Sequence, residues 1–598
     1  MKKTALFSFL FFFAACSNSG PSTGETDFAS LPYAGSKSTK ELIVHELSDP
    51  DKLNPLTSQG AGSAYIEHCM FMYLLDIDKE KLEVIPWLAK ERPVITELME
   101  GPYVLRIDYE IRPEATWDNG TPVTAYDVDF SFKTTKNPHV DAEHQRPYID
   151  FVAHIEIDKN NPKKFSFYTS EPHYAAEFSS GGVNYIVPEY IYDPNQLMRK
   201  FSLQQLSDED ELEKIREDLG LIKFAEEFNS EKYQREKGFV VGCGPYQLDE
   251  WITGQRVVLS KKENWWGEAL AGTKSFENHP EKIIYEIIND KVTAITAAKD
   301  EQIDLMRGVS PYNFKELSSN QDFNSKFFMF NPDFLSYTYI GLNMRHPILK
   351  EKEVRQALAH CVNVPQIIDI IMYGYAKSMA SFVHPSKEHY NEELQPYDFN
   401  LNKAAELLAS AGWVDSDNDG VLDKNIDGKQ TPLKLTIKYN AGNDSREKIC
   451  LFLKENAKKV GFDIEILVKE WTVYLDECKD HDFDMYVLGW VQEAILDDPK
   501  QLFHTDAYNG GSNYPGFGNA YTDVLIDDLR KEMNTEKRIN MFRELQAIIH
   551  EEVPYILLFT PDNLVVVNKR YSNAKPYIAR PGYEERELIL KPYAGAEQ

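Results

Sequence analysis

The chain has 598 residues, with 65 Lys and Arg against 95 Asp and Glu, so its formal net charge is −30. Hydrophobic residues make up 42% and charged residues 27%, which excludes wholesale disorder and predicts several globular domains of about 150 residues each. The acidic balance argues against nucleic acid as a partner, because phosphate backbones need clustered Lys and Arg. It favours cationic or zwitterionic ligands, which a negative field attracts over long range.

The amino terminus has the pattern of an export signal. Two lysines precede an apolar run over residues 5–13, which is too short to span a bilayer as a mature helix. Two alanines stand directly before Cys16, and small residues before a cysteine resemble a lipoprotein signal box. We therefore expect residues 1–16 to be a signal region that ends at a lipidated Cys16. An ordinary secretory signal cut near Ala15 is the alternative. Residues 17–40 are rich in Ser, Gly, Thr and Pro, as in a flexible tether.

The body begins with predicted strands and a helix. Residues 42–47 form a predicted strand, and residues 103–111 form another, in which apolar and polar side chains alternate. Residues 125–134 have helical spacing, and Thr124 is placed to cap that helix.

Helical patterns dominate the middle of the chain. Residues 201–237 form a charged stretch, which we expect to be a solvated helical insertion on the surface. Residues 353–373 are predicted as one helix. After about residue 430 strands and helices alternate, which predicts an α/β fold.

Neither the cysteines nor the short motifs indicate a catalytic or cofactor site. The five cysteines of the body are widely spaced and odd in number, which favours buried free thiols; they are Cys69, Cys243, Cys361, Cys450 and Cys478. A single bridge, such as Cys450 to Cys478, is the alternative. The sequence has no HExxH, GxSxG or Walker A motif, so we expect no catalytic metal, no cofactor and no ATPase activity in this chain.

One acidic loop has some of the spacing of a calcium site. Asp415, Asp417, Asp419 and Asp423 stand at positions 1, 3, 5 and 9 of a calcium-type loop, with glycine at position 6. The twelfth position is Ile426, where a glutamate would be needed. A turn rich in Asn, Asp and Gly is the alternative interpretation, and we predict no metal.

Five motifs in register resemble one family. Residues 115–128 read ATWDNGTPVTAYDV, and residues 241–246 read VGCGPY and are followed by Glu250-Trp251. The remaining matches are NWWG at 264–267, GLN with VRQAL at 341–343 and 354–358, and FDM followed by GW at 483–490. Together they resemble the peptide/nickel class of bacterial extracellular solute-binding proteins, which serve ABC importers.

The resemblance implies two α/β lobes that close on a ligand around a hinge, with a smaller third domain. The first lobe would consist of residues 41–75, 186–300 and 555–598, the small domain of 76–185, and the second lobe of 301–554. The implied function is to capture oligopeptides and deliver them to a membrane permease. The protein would be a lipid-anchored monomer outside the cytoplasm, on the periplasmic side or at the cell surface. A nickel chelate, an oligosaccharide or a cell-wall peptide is the alternative ligand, and a secreted hydrolase is the alternative class.

The resemblance also implies a site for the ligand's amino terminus. In peptide-binding relatives an aspartate three residues after the GW segment pairs with the ligand's ammonium. Counting from Gly489 and Trp490 leads to Glu493, and a carboxylate suits a buried ammonium. Because Glu is longer than Asp, nearby Asp497 or Asp498 could take the role instead. Trp490 would form an apolar and cation–π wall.

Two further site residues follow from the same resemblance. Residues 509–514 resemble a loop that lies near the ligand cleft in this family, which gives Asn513 and Tyr514 as ligand-binding candidates. The family binds the peptide main chain as an added strand, with side chains in roomy wet pockets. A solvated loop acid for Glu493, a core residue for Trp490 and a plain loop for 509–514 are the alternatives.

Overall fold

The computed structural model describes residues 33–35, 37, 39–270, 272–495 and 497–592. The predicted signal region, Cys16 and nearly all of the tether lie outside the described residues. Within the part that is described, no helix is long and apolar enough to cross a membrane.

The secondary structure is mixed throughout. The strands are β1 Leu42–Glu46, β2 Leu75–Asp78, β3 Glu83–Pro86, β4 Val94–Glu97, β5 Leu105–Glu110, β6 Val152–Ile157, β7 Lys164–Thr169, β8 Tyr246–Ile252, β9 Arg256–Lys261, β10 Lys282–Ile287, β11 Leu305–Met306, β12 Phe327–Phe330, β13 Ser336–Leu342, β14 Ala376–Ser378, β15 Asp423–Ile426, β16 Lys429–Pro432, β17 Lys434–Asn440, β18 Asp463–Lys469, β19 Met485–Val491, β20 Tyr555–Pro561 and β21 Val565–Asn568.

The helices are α1 Ala61–Met70, α2 Ala125–Lys136, α3 Arg146–Ile149, α4 Ala176–Gly181, α5 Glu189–Tyr192, α6 Leu203–Ser207, α7 Glu209–Ile215, α8 Leu219–Phe228, α9 Glu231–Arg235, α10 Lys291–Lys299, α11 Pro311–Ser318, α12 Gln321–Lys326, α13 Lys352–His360, α14 Val364–Ile370, α15 Leu401–Ser410, α16 Asp444–Lys458, α17 Trp471–Lys479, α18 Lys500–Phe503, α19 Ala520–Lys531 and α20 Thr535–Glu552.

The first lobe is built on a seven-stranded sheet with the order β12-β21-β11-β1-β10-β9-β8. Strand β1 pairs in parallel with β10 and β11, and the strands at both edges run antiparallel to their neighbours. The sheet includes β11 and β12, although the predicted first lobe stopped at residue 300. These strands have two and four residues, too few to show a pattern in the sequence.

The second lobe is built on a six-stranded sheet with the order β14-β20-β13-β19-β17-β18. Strand β17 pairs in parallel with β18 and β19, and β13 pairs antiparallel with β19 and β20. Strand β20 belongs to this sheet, although the predicted first lobe resumed at residue 555. The alternating strands and helices after residue 430 therefore form α/β packing as predicted.

The chain passes between the two sheets at residues 331–335 and again at 562–564. These crossings lie side by side, because Asp333 and Asp562 form an antiparallel bridge. The Asn331 side-chain amide also donates a hydrogen bond to the Asp562 carboxylate at 2.9 Å. Two short adjacent crossings are the arrangement that allows one lobe to rotate against another.

A four-stranded antiparallel sheet, β4-β5-β7-β6, forms the small domain. Buried and half-buried residues alternate along β5, as the sequence pattern predicts. Helix α2 follows Thr124, which forms a capping box with Asp127, so the predicted cap is confirmed. The helix packs on the sheet through Phe132, whose ring centre lies 4.6 Å from that of Phe167.

Two helical predictions need correction. The helix predicted over 353–373 is two helices, α13 and α14, because Asn363 caps a new helix and Pro365 has no amide hydrogen to continue the old one. The stretch 201–237 forms four short helices and is more than a solvated insertion. Its residues Leu221, Phe224 and Phe228 are buried in the core of the first lobe.

A buried ion pair within the first lobe joins the middle of the chain to a residue near its carboxyl end. Arg570, which follows β21, donates two hydrogen bonds to the carboxylate of Asp304, at 2.8 and 2.6 Å. The Asp304 carboxylate also accepts the Ile43 amide of β1 at 2.9 Å. The Asp304 and Arg570 side chains are 0% and 3% exposed.

The five cysteines in the described residues are all free and buried, so Cys450 and Cys478 do not form a bridge.

Candidate ligand-binding site

A cavity of about 350 Å³ lies where the two lobes and the small domain meet. The first lobe contributes α1 and the chain after β21, the small domain contributes β2 and α3, and the second lobe contributes the residues that flank β13 and β19. The lining residues fall within 64–68, 73–79, 144–148, 178–185, 335, 492–494 and 579–585. Because three parts of the chain enclose it, the cavity changes shape whenever they move relative to one another.

Four tyrosines line the cavity: Tyr65, Tyr73, Tyr148 and Tyr185. Tyr73 and Tyr185 stack with their ring centres 3.6 Å apart, and the Arg307 guanidinium lies 4.4 Å from the centre of the Tyr65 ring. Tyr148, from the small domain, donates a hydrogen bond to Gln501 of the second lobe at 2.9 Å. Burial raises the pKa of both Tyr148 and Tyr185, so these phenols remain protonated at neutral pH. They offer flat apolar faces and hydroxyl groups that can donate or accept.

Glu493 lies in the loop after β19 and lines this cavity. Its carboxylate is already paired, because the Arg580 guanidinium from the other lobe donates a hydrogen bond to it. The Glu493 carboxylate raises the pKa of Arg580 although burial opposes the shift. Both side chains are partly exposed, at 42% and 35%. A ligand ammonium that reached Glu493 would therefore share this carboxylate with Arg580 or displace it.

The two alternative carboxylates are also occupied. Asp497 accepts a hydrogen bond from Lys387 at 2.5 Å, and its carboxylate lies 2.9 Å from a ring nitrogen of His389. Burial raises the pKa of Asp497, but these neighbours outweigh it and the net pKa is below its ordinary value. Asp498 accepts a hydrogen bond from Arg530 at 2.9 Å.

The other predicted site residues do not line this cavity. Gly489 and Trp490 lie in β19, and Trp490 packs against the core of the second lobe. Asn513 is buried, donates to the carbonyls of His504 and Phe517 and accepts the Phe517 amide. Tyr514 is buried, with its ring centre 6.1 Å from that of Tyr486. The structure thus uses Asn513 and Tyr514 to hold their loop and core, and their role as ligand contacts stays a prediction.

A cluster of charged side chains lies at one end of the cavity. Glu584 pairs with Lys79 and, at 2.8 Å, with Arg586, while a ring nitrogen of His68 lies 3.6 Å from Asp76. Burial opposes ionisation of Glu584, but the two cations hold its pKa well below its ordinary value. Burial and the Arg586 charge lower the pKa of His68 well below its usual range, so the imidazole is neutral at pH 7.

Sequence reasoning missed most of this lining. The segment 579–585 carries no part of the family motifs, and its charges become neighbours of α1 and β2 only through long-range folding. The density of charged residues between Arg580 and Glu587 was the one signal that could have drawn attention to it.

The acidic loop is separate from the cavity lining. The carboxylate oxygens of Asp415, Asp417 and Asp419 lie within 4.8 Å of one another. Asp423 is not part of this group, because its carboxylate accepts hydrogen bonds from the Ser416 amide and hydroxyl. The carboxylates of Asp415 and Asp419 accept backbone amides within the loop, which is how a tight polar turn holds its shape.

Comparison with known proteins identifies the family. Residues 83–514 match the family described as bacterial extracellular solute-binding proteins, family 5 middle region, and the chain belongs to this family. It is 26% identical to the oligopeptide-binding protein AppA of Bacillus subtilis over 591 residues, which cover 98% of this chain and 97% of the relative.

Solved structures confirm the predicted two-lobed fold. AppA from Bacillus subtilis in complex with a nonapeptide matches with a TM-score of 0.73 and 24% identity, over 92% of this chain and 99% of that one. NikZ from Campylobacter jejuni in complex with Ni(L-His) matches with a TM-score of 0.70 and 19% identity, over 90% and 96% of the two chains. Two structures that share this fold were thus solved in complex with a peptide and with a nickel–histidine complex.

Proposed function

We propose that this protein captures peptides in the cavity between its lobes and delivers them to an ABC permease, without chemical turnover. The observation that carries the proposal is the cavity itself, which is enclosed by both lobes and the small domain and lined by phenols and charged groups. Tyrosine faces suit apolar side chains, and the hydroxyl and carboxylate groups can pair with amide N–H groups and charges. The similarity to AppA over nearly the whole chain supports a peptide as the ligand.

Ligand capture is proposed to close the lobes. The first lobe would comprise the seven-stranded sheet and the second lobe the six-stranded sheet, with rotation at residues 331–335 and 562–564. Two polar contacts that span the lobes support a closed form: Arg580 with Glu493, and Lys291 with the Gly442 carbonyl at 3.0 Å. A ligand that touches both lobes favours this form by the free energy of those contacts.

A panel of short peptides tests the function. We expect titration calorimetry to show binding of peptides in the micromolar range or tighter, and we expect each peptide to be recovered unchanged. Native mass spectrometry of protein purified without denaturation should show retained peptides. Cleaved peptides would indicate a hydrolase. Retained nickel complexes or oligosaccharides, with no peptide binding, would identify a different solute and contradict the proposal.

We also propose that the protein is anchored in the membrane by a lipid on Cys16. The apolar run and the small residues before Cys16 support this, together with membership of a family of extracellular proteins. Replacing Cys16 with serine should abolish labelling with radioactive palmitate and move the protein from the membrane fraction to the soluble fraction or to an uncleaved precursor. A Cys16→Ser variant that is still labelled and still membrane-bound would exclude Cys16 as the anchor.

A further inference from the structure

We propose that Glu585 is the receptor for the positive charge of a ligand: an ammonium group, from a peptide amino terminus or a lysine side chain, that enters the charged end of the cavity. This rests on the proposed function, since it assumes that the cavity holds a peptide. The sequence pointed instead to Glu493, which the structure pairs with Arg580.

The geometry separates Glu585 from the other acids in and beside the cavity. Asp76 also lines the cavity and lies 3.6 Å from a ring nitrogen of the neutral His68, whereas Glu585 has no basic side chain of any kind this close within the described part of the chain. Glu585 lines the cavity, and the residue is 3% exposed. One carboxylate oxygen accepts a hydrogen bond from the Tyr285 hydroxyl at 3.1 Å. Among the described residues, no Lys, Arg or His nitrogen lies within 4 Å of this carboxylate, whereas Glu493 and Glu584 each have a cation. One neutral donor replaces only part of the solvation that a carboxylate loses on burial. A ligand cation would supply the remaining electrostatic stabilisation.

The charge balance of the cluster leads to the same conclusion. Asp76 and Glu584 carry two negative charges, and Lys79 and Arg586 carry two positive charges. The neutral His68 adds none. Glu585 is the third acid, so its ionised form leaves one negative charge without a partner. A monovalent cation balances this charge, whereas an anion would add to it.

The protonation behaviour of Glu585 provides a signature. Burial, and then the neighbouring Glu584 carboxylate, raise the pKa of Glu585 to about 7. The groups that face it are Cys69 on α1, Lys79 after β2, Tyr246 on β8, Tyr285 on β10 and its neighbours Tyr583 and Glu584. Burial also raises the pKa of the Cys69 thiol and the Tyr285 phenol, so neither titrates near pH 7. A cation that favours the carboxylate should therefore release a proton from Glu585.

The test uses four alanine-based pentapeptides, with lysine or norleucine at the centre and with a free or an acetylated amino terminus. Norleucine keeps the aliphatic length of lysine and removes its charge. We expect peptides that present the recognised ammonium to bind about ten- to a hundredfold more tightly than their neutral partners. The comparison that shows the difference in affinity identifies the source of the recognised ammonium. A difference lost on acetylation indicates the amino terminus, and a difference lost with norleucine indicates the lysine side chain. Either outcome supports the proposal.

Proton release and variants make the assignment specific. At pH 7, calorimetry in buffers with different ionisation enthalpies should show release of about half a proton when the cationic peptide binds. Glu585→Gln mimics the neutral acid, and it should remove both the preference and the proton release. Glu587→Gln is the matched control, because Glu587 lies outside the cavity lining and accepts a hydrogen bond from Tyr577, so it should retain both.

A failure of the proposed role of Glu585 can be distinguished from a failure of the proposed function. Equal binding of all four peptides to the unaltered protein would overturn the role of Glu585 and leave peptide binding intact. Loss of the preference in Glu493→Gln but not in Glu585→Gln would assign the charge to Glu493. Absence of binding to any peptide would contradict the proposed function itself. If Glu585→Gln does not fold, the four peptides are compared on Glu493→Gln: a preference retained in that variant supports the proposal, and a preference lost in it overturns the proposal.

Discussion

Replacing Asp304 with asparagine should lower the free energy of unfolding by about 3–5 kcal/mol, because it leaves a buried guanidinium without its counter-ion. Arg570 makes two hydrogen bonds to Asp304, and neither side chain has appreciable contact with solvent. The Asp304 carboxylate also accepts the Ile43 amide, so the substitution loosens the contact between β1, β11 and the chain after β21. Urea denaturation followed by tryptophan fluorescence would measure the loss.

Asp322→Asn provides the matched control for Asp304→Asn. Asp322 pairs with Lys326 one helical turn away at 3.0 Å, but its side chain is 76% exposed. An exposed pair of this kind contributes about 0.5 kcal/mol or less, so the control should unfold almost as the unaltered protein does. Losses of similar size in the two variants would contradict the assignment of Asp304 and Arg570 as a buried, stabilising pair.

Replacing Asp497 with asparagine should also cost about 3–5 kcal/mol at pH 7, because it leaves the Lys387 ammonium nearly buried and without a counter-ion. The two side chains are 11% and 6% exposed. Lys387 also donates a hydrogen bond to the Glu493 carbonyl at 2.6 Å, so the ion pair helps to hold the loop that lines the cavity. Urea denaturation at pH 7 would measure the stability, and hydrogen exchange of residues 491–494 would report on the loop.

The cost of Asp497→Asn should depend on pH in a defined direction. The folded-state pKa of Asp497 lies below its ordinary value, so this carboxylate contributes stability that is fully present above about pH 4. That contribution is lost as the pH falls through the lower, folded-state pKa. The difference in free energy of unfolding between the unaltered protein and Asp497→Asn should therefore shrink as the pH falls below about 4. Asp476→Asn is the control, because Asp476 belongs to an exposed ion pair. If the difference for Asp497→Asn stayed constant down to pH 2, the stabilising role of the Asp497 carboxylate would be contradicted.

The family and the two-lobed fold could be predicted from the sequence because the motifs that identify the family are short and local. The residues 115–128 include a capped helix start, and that cap can be seen without any tertiary information. Glu493 was found by counting from Trp490, and it does line the cavity. Its partner Arg580 could not be found, because the two residues are 87 positions apart and meet only when the lobes do.

Other features depended on packing that sequence patterns do not record. Asn513 lies in a stretch with the composition of a loop, but its side-chain amide is hydrogen-bonded to neighbouring backbone groups through both its nitrogen and its oxygen. The short strands β11 and β12 are defined by long-range pairing: β12 pairs with β21, and β11 lies between β21 and β1. Glu585 is a polar residue in a polar stretch, and its burial follows from contacts with α1 and β10, more than two hundred residues earlier in the chain.

The side-by-side crossings at 331–335 and 562–564 also set the order in which the two sheets become complete during synthesis. Every strand of the second sheet lies between residues 336 and 561, so that sheet is one uninterrupted insertion. The first sheet begins with β1 at residue 42, but β21, which joins β11 to β12, ends at residue 568. A chain emerging from its amino terminus therefore holds all the strands of the second sheet while the first still lacks one. A chain stopped after residue 561 would keep every strand of the second sheet and leave β12 without the strand that connects it to the first.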